Sequence, residues 1–142
     1  MNIRGGDVQL TRKSDYAIRI VLYLAKINRY ANSSEISNVL KVPKRFTLII
    51  LAELLQHGVV VSQKGAAGGY AFAKPDSSLL DVVNIASSEI AINKCLCEAA
   101  ECERIDKQKC AVHLVLADLN ALILSELDKL KIVDIAPEFL LD

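Results

Sequence analysis

The sequence predicts a mainly α-helical fold with one small β-hairpin, on three observations. Three segments of helical period precede residue 58. A short β-branched run, a glycine-rich turn and an aromatic run follow them. A long, strongly apolar helical segment comes last. With 142 residues, 52 % hydrophobic and 24 % charged, the chain can bury a core without disulfides and is too apolar to be disordered.

The first helix is expected from Thr11 to about Ile27. Tyr16, Ile20, Leu24 and Ile27 form one stripe, widened by Ala17, Val21 and Leu22, with Thr11 or Ser14 as N-cap. After a polar break at Asn28–Asn32, Ser33 or Ser34 is expected to cap a short second helix through Ile36, Val39 and Leu40. Pro43 suits the first turn of a third helix, because that turn does not use the N–H that proline lacks. Phe46, Ile49, Ile50, Leu51, Leu54 and Leu55 continue it to His57-Gly58, where glycine accepts the left-handed backbone that ends a helix. Val59–Ser62 and Tyr70–Ala73 are the expected strands, joined through Gly65-Ala66-Ala67-Gly68-Gly69.

Ser77 or Ser78 is expected to cap a fourth helix through Leu79, Leu80, Val82, Val83 and Ile85. A polar loop with cysteines covers Asn93–Lys109, and the last helix runs from about Cys110 to Leu130. Val112, Val115, Leu116, Leu119, Leu122, Ile123, Leu127 and Leu130 line its main stripe. That is more apolar surface than one small domain covers, and a symmetric dimer is the simplest way to bury it. Three helices followed by a hairpin are the plan of a winged helix-turn-helix, in which the hairpin is the wing. The expected organisation is therefore a winged helix-turn-helix unit over residues 8–75, a linking helix and cysteine loop over 76–109, and a dimerisation helix over 110–135.

The formal net charge of zero conceals an asymmetry. Residues 1–64 hold ten Lys and Arg against four Asp and Glu, whereas residues 65–142 hold seven against thirteen. A basic half joined to an acidic half suits a polyanion-binding unit with a separate second role. On the predicted fold the third helix would enter the major groove with its N-terminal residues, which makes Lys44, Arg45 and Thr47 candidate DNA contacts. Arg12 and Lys13 open the first helix, where cations and free backbone N–H groups suit a phosphate. Lys64 precedes five small residues at the wing, read as a flexible tip that brings it close to a groove.

Four cysteines lie within sixteen residues, Cys95, Cys97, Cys102 and Cys110, with His113 three residues beyond the last. Charged neighbours surround them, Lys94, Glu98, Glu101, Glu103, Lys107 and Lys109, so they are not core residues. Thiolates clustered on a polar loop suit an iron–sulfur cluster or another soft metal. Zinc is the chemical rival. It ranks second because Cys95-x-Cys97 is tighter than the usual knuckle pair, although Cys110-x₂-His113 would serve.

An enzyme is not expected. His57 and His113 fall on different predicted helices without a nucleophile partner, and no phosphate-binding loop, Gly-x-Ser-x-Gly or His-Glu-x-x-His motif is present. No uncharged apolar run is long enough to span a bilayer and the first residues lack a signal-peptide pattern, so a cytoplasmic protein is expected.

Several stretches resemble the Rrf-two (BadM/IscR-type) family of bacterial transcription regulators. They are Leu10-Thr11-Arg12-Lys13-Ser14-Asp15-Tyr16-Ala17-Ile18-Arg19, Ser34-Glu35-Ile36, Val42-Pro43 ahead of Phe46, and Cys110-Ala111-Val112-His113. The most specific is Gly58-Val59-Val60-Val61-Ser62 running into Lys64-Gly65-Ala66-Ala67-Gly68-Gly69-Tyr70. The resemblance covers roughly residues 8–135. It implies a homodimer held by the last helix and a winged helix that binds a palindromic operator in double-stranded DNA. In many members three loop cysteines bind a [2Fe–2S] or [4Fe–4S] cluster that senses redox state, nitric oxide or iron–sulfur status. By position those are Cys95, Cys102 and Cys110 here. The fourth ligand is implied to be either His113, as in IscR-like members, or Asp15 of the partner chain, as in NsrR-like members.

Departures accompany the likeness. Seven residues separate Cys102 from Cys110, a longer interval than usual, and the additional Cys97 competes with Cys95 for the ligand role. Leu48 stands near the place where some members carry a polar or acidic base-reading residue, so the operator should differ from theirs. The expected function is a dimeric DNA-binding regulator, a repressor, controlled by a cysteine-ligated cluster. The alternative is a cofactor-free regulator whose signal is thiol chemistry or a protein partner.

Overall fold

The structure, a computed structural model, describes residues 10–87, 90–97 and 102–139. Residues 8 and 9 of the expected first unit, and Glu98 and Glu101 of the cysteine loop, lie outside the described residues. Helix α1 spans Arg12–Ile27 and starts where Thr11 accepts the Ser14 backbone N–H on its hydroxyl. Its inward stripe, Ala17, Ile20, Val21 and Leu24, is fully buried and forms the axis of the core. Helix α2 (Ser33–Leu40) begins one residue earlier than a serine cap would place it. Asn32 is the cap, extended in backbone and accepting the Glu35 N–H at 2.9 Å. Pro43 likewise stands just outside helix α3 (Lys44–Gln56) as its N-cap.

Strands β1 (Val60–Gln63) and β2 (Gly69–Phe72) pair antiparallel, Val60 opposite Phe72 and Gln63 opposite Gly69. A third backbone segment joins this hairpin: Ala31 and Tyr70 exchange two N–H···O bonds at 2.9 and 2.8 Å, tying the wing to the α1–α2 connection. At two glycines the wing leaves no room for a side chain. A side-chain carbon on Gly69 would lie 2.3 Å from the Ala31 carbonyl oxygen, and one on Gly68 would lie 2.1 Å from that of Gln63. Ser78 and Asp81 form a capping box that starts helix α4 (Leu79–Ala86), whose Val82 and Val83 pack inward.

The cysteine loop is not shapeless. Lys94–Leu96 and Lys107–Lys109 each form a short 3₁₀ turn, and the Lys107 ammonium donates to the Cys97 carbonyl at 3.3 Å, linking the two ends. Helix α5 (Ala111–Lys129) then runs 19 residues without burying one of them. Val112, Leu114, Val115, Leu119, Leu122 and Ile123 remain exposed, so much of its apolar face is uncovered among the described residues.

The helix ends near Leu130, as expected, but the dimerisation unit drawn over 110–135 is not one helix: Leu130 is extended, and residues 131–139 turn back onto the body. Leu79 N–H donates to the Leu130 carbonyl and Ile132 N–H to the Ser77 carbonyl, at 2.9 and 3.0 Å. Helix α6 (Ile132–Ile135) places Ile132 fully inside the core, and Lys26 donates to the carbonyls of Pro137 and Phe139. The reason is hydrophobic: Ile132 and Ala136 join the buried cluster that α1 lines, with Ile135 and Phe139 packed beside them. Among the described residues no helix is long and apolar enough to cross a membrane.

Candidate nucleic-acid interface and cysteine segment

Helix α3 alternates faces with helical period. Thr47, Ile50, Leu51 and Leu54 are buried, so Arg45, Leu48, Ile49 and Ala52 face outward on the opposite side. One sequence-based candidate is corrected here. Thr47 is fully buried and its hydroxyl donates to the Pro43 carbonyl at 3.2 Å, so it steadies the first turn and does not face a groove. Phe46, next to it, packs edge-on against Tyr16 of α1 with ring centres 5.6 Å apart, which fixes the angle between the two helices.

The candidate cations divide into two groups. Arg12, Arg45 and Lys64 are exposed and make no ion pair among the described residues. Lys13 is committed inward, its ammonium 2.6 Å from Glu53 Oε1, which joins the start of α1 to the far end of α3. Glu53 Oε2 is buried without a hydrogen-bond partner among the described residues, so Lys13 is its main compensation. Lys44 donates to the Ser34 hydroxyl and holds the first turns of α2 and α3 together. Its tip is thus engaged within the helix-turn-helix.

A second polar cluster braces the same unit. Glu35, in the first turn of α2, accepts the Tyr23 hydroxyl at 2.7 Å and Arg29 Nη2 at 2.6 Å. These bonds, the Arg29 one first, hold the Glu35 carboxyl below its ordinary range, and burial together with the Glu35 contact pushes the Tyr23 hydroxyl up. Sequence reading missed Glu35 and Glu53 as structural partners. The capping-type spacing from Asn32 to Glu35 was the only local signal, and nothing local marks Glu53.

The cysteine donors sit on different parts of the loop. Cys95 lies in the first 3₁₀ turn and is half-buried, as is Cys97 just after it. Cys102 is exposed, and its sulfur receives the backbone N–H groups of Arg104 and Ile105, which lower its thiol below the ordinary value. Cys110 is the N-cap of α5, which sets its thiol at the junction of the loop and the helix. One turn further on, His113 has a buried Nδ1 with no hydrogen-bond partner among the described residues. Asp15 stands in the first turn of α1, about half exposed and paired with Arg19 at 3.0 Å.

In donor chemistry these residues fit a soft-metal group: thiols in polar surroundings, the Cys102 thiol lowered by backbone N–H groups, and an imidazole nitrogen lacking a partner among the described residues. Among the described residues no three His, Cys, Asp or Glu side chains are gathered into a metal-sized group in the single chain. Asn120 contributes a feature that no sequence pattern announced. Its side-chain amide accepts the Ile92 N–H at 3.0 Å and donates to the Ile90 carbonyl at 3.2 Å, clasping the entry to the cysteine segment onto α5.

Comparison with known proteins agrees with this architecture. The Rrf2 family, described as iron-dependent transcriptional regulators, matches residues 10–138. A protein of Rhodobacter capsulatus named as an rrf2-like HTH-type transcriptional regulator is 31 % identical over 137 residues, covering 88 % of this chain and 90 % of its own. An HTH-type regulator of Aquifex aeolicus is 33 % identical over 101 residues, covering 69 % and 70 %. Among solved structures, CymR, the global cysteine regulator of B. subtilis, superposes with a TM-score of 0.74 at 19 % identity, covering 92 % of this chain and 98 % of that one. IscR of T. potens superposes with a TM-score of 0.71, also at 19 % identity, covering 92 % and 87 %.

Proposed function

Because this chain belongs to the Rrf2 family of transcriptional regulators, we propose that it acts as a dimeric repressor whose hold on a palindromic operator depends on a cysteine-ligated iron–sulfur cluster. As a member of that family it regulates transcription and is not an enzyme. One observation carries the finer reading: the cysteine segment opens directly into α5, a helix of 19 residues with none fully buried among the described residues. A second copy would cover that face. The state of the cysteine loop would then bear on the angle at which two winged units meet.

Cys95, Cys102 and Cys110 would hold the cluster, with Cys97 able to replace Cys95, and with His113 or the partner chain's equivalent of Asp15 as fourth ligand. A bound cluster supplies a link between thiolates that oxygen, nitric oxide or iron shortage can break. The rest is done by the chain. Cys110 ties the loop to the first turn of α5, Asn120 and Lys107 hold the loop's near ends, and α5 transmits their position through α4 to α1 and the reading helix. Half-sites on DNA lie about 34–36 Å apart, so a small rotation between two copies disrupts simultaneous binding. Arg45 on α3, Lys64 at the wing and Arg12 at the start of α1 are the proposed DNA contacts, since they are exposed and, unlike Lys44, are not engaged by another side chain among the described residues. Lys13 and Lys44 would serve mainly to position them.

The test is anaerobic purification with iron, acid-labile sulfide and zinc measured per chain, followed by operator binding of cluster-loaded and cluster-free protein across a salt series. Near-equal iron and sulfide with a sharp affinity difference is expected. Equal binding by both forms would refute the sensing mechanism, and zinc alone would make the loop a structural site.

A thiol switch is the second reading, favoured by the exposure of Cys102 and the two backbone N–H groups directed at its sulfur. In that case alkylating Cys102 abolishes the response in protein that never held iron.

A further inference from the structure

The outward face of α3 has an unusual composition for a helix that reads DNA. Beyond Arg45, its next two turns present Leu48 at 46 % exposure, Ile49 at 42 % and Ala52, with no hydrogen-bonding side chain among them. Their inward neighbours Ile50, Leu51 and Leu54 belong to the core cluster with α1, and Thr47 is buried beside them, so the outward residues lie on the opposite side from the core. Charge identifies the occupant of this face. The aliphatic pair stands one turn beyond Lys44 and Arg45 in the basic half of the chain, where ten cationic residues oppose four acidic ones. A polyanion fits that setting better than a protein groove does.

A hydrogen-bonding readout of base edges needs donors or acceptors that Leu48 and Ile49 lack. The feature of the major groove that an aliphatic side chain can recognise is the C5-methyl group of thymine. An exposed leucine there also leaves the polar edge of a G·C pair dehydrated and unpartnered, which discriminates against it. We infer that Leu48, assisted by Ile49, reads the operator by packing on thymine methyl groups, so that this regulator's sequence preference lies in apolar contact rather than in hydrogen bonds. The inference rests on the proposed DNA-binding reading and specifies how its recognition helix discriminates.

The experiment uses the full chain, prepared anaerobically, and a random duplex library. Rounds of selection should enrich a site with thymine at one or two fixed positions in each half. Resynthesising that site with deoxyuridine at those positions removes only the methyl groups. Affinity should fall about fourfold for each methyl lost from contact. Leu48→Ala, a change at an exposed position, should bind the thymine site more weakly and respond less to the uracil replacement. That coupling, rather than either loss alone, identifies the contact. An enriched site that binds equally with thymine or uracil at every position, or an unchanged uracil effect in both Leu48→Ala and Ile49→Ala, overturns the inference while the regulator reading stands. Failure to enrich any site overturns the regulator reading as well.

Discussion

Replacing Gly69 by alanine should detach the wing, and the structure sets the size of the effect. The residue has φ +133°, and an added Cβ would lie 2.3 Å from the Ala31 oxygen, 2.4 Å from its carbonyl carbon and 2.7 Å from the Asn32 nitrogen, all backbone atoms. None of them can move aside like a side-chain tip. Relief requires lifting β2 from Ala31, which breaks the two hydrogen bonds exchanged between Ala31 and Tyr70. At about 1 kcal/mol net for each bond, that is about 2 kcal/mol. Keeping the wing in place would instead add about 1–3 kcal/mol of backbone strain to the steric clash. The detached state is therefore favoured, with a loss of about 2–3 kcal/mol in stability, allowing for some packing lost around Tyr70.

Gly65→Ala is the control, because Gly65 also has positive φ (+102°) but open space around a Cβ, so it meets strain without a clash. Urea melts and hydrogen exchange of the Ala31 and Tyr70 amides would measure both variants. Gly69→Ala should lose amide protection at Ala31 and Tyr70 and weaken DNA binding through misplacement of Lys64, while Gly65→Ala keeps the protection. If Gly69→Ala retains protected Ala31 and Tyr70 amides and melts like Gly65→Ala, the close approach is not what this glycine provides.

Four further outcomes are expected. Ile132→Ala, at a fully buried position, should destabilise the fold by about 2–5 kcal/mol in a urea melt; a loss under about 1 kcal/mol would mean that residues 131–139 are not part of the core. Leu122→Glu, on the α5 face at 63 % exposure, should leave helicity intact and yield monomers in sedimentation, whereas an unaltered dimer would place the interface elsewhere. Lys64→Ala should reduce the salt slope of operator binding by about one, and an unchanged slope would remove Lys64 from the phosphate contacts.

The fourth concerns pH. Glu35 is held below its ordinary value of 4.5, chiefly by Arg29 and then by Tyr23, so its contribution is fully present above that value and is lost as pH falls through the lower, folded one. Tyr23→Phe should flatten this acid-side loss, and identical acid limbs in wild type and variant would refute the coupling.

Much of the fold was legible because local rules and the global structure agree. The stripe from Ala17 to Leu24 has a single helical face to bury, Gly58 ends α3 where no side chain competes, and the glycines between Lys64 and Tyr70 demand a tight turn. The α2 cap was not legible: Ser33 or Ser34 was expected, and the adjacent Asn32, equally suitable in composition, takes the role. Only the extended backbone of Asn32 distinguishes them.

The candidate site divides in the same way. That cations would gather on the first three helices and thiols in one loop is a property of the chain order alone, since charge and cysteine spacing need no fold to be read. Which cations remain available is a tertiary matter. Lys13 lies 40 positions from Glu53 in sequence yet 2.6 Å from it in space, and Thr47 faces inward because the third helix turns its 47–50–51–54 side to the core. The return of residues 131–139 onto α1 was illegible for the same reason. Four helical residues carry too little periodicity to announce themselves, and Ile132 declares its place only once Ser77, Leu79 and α1 have formed the cavity that it fills. Sequence by itself determined the order of elements and the chemistry that each one carries, because both follow from neighbours along the chain. Tertiary structure decided which side chains face outward to act, because burial and long-range pairing exist only after packing.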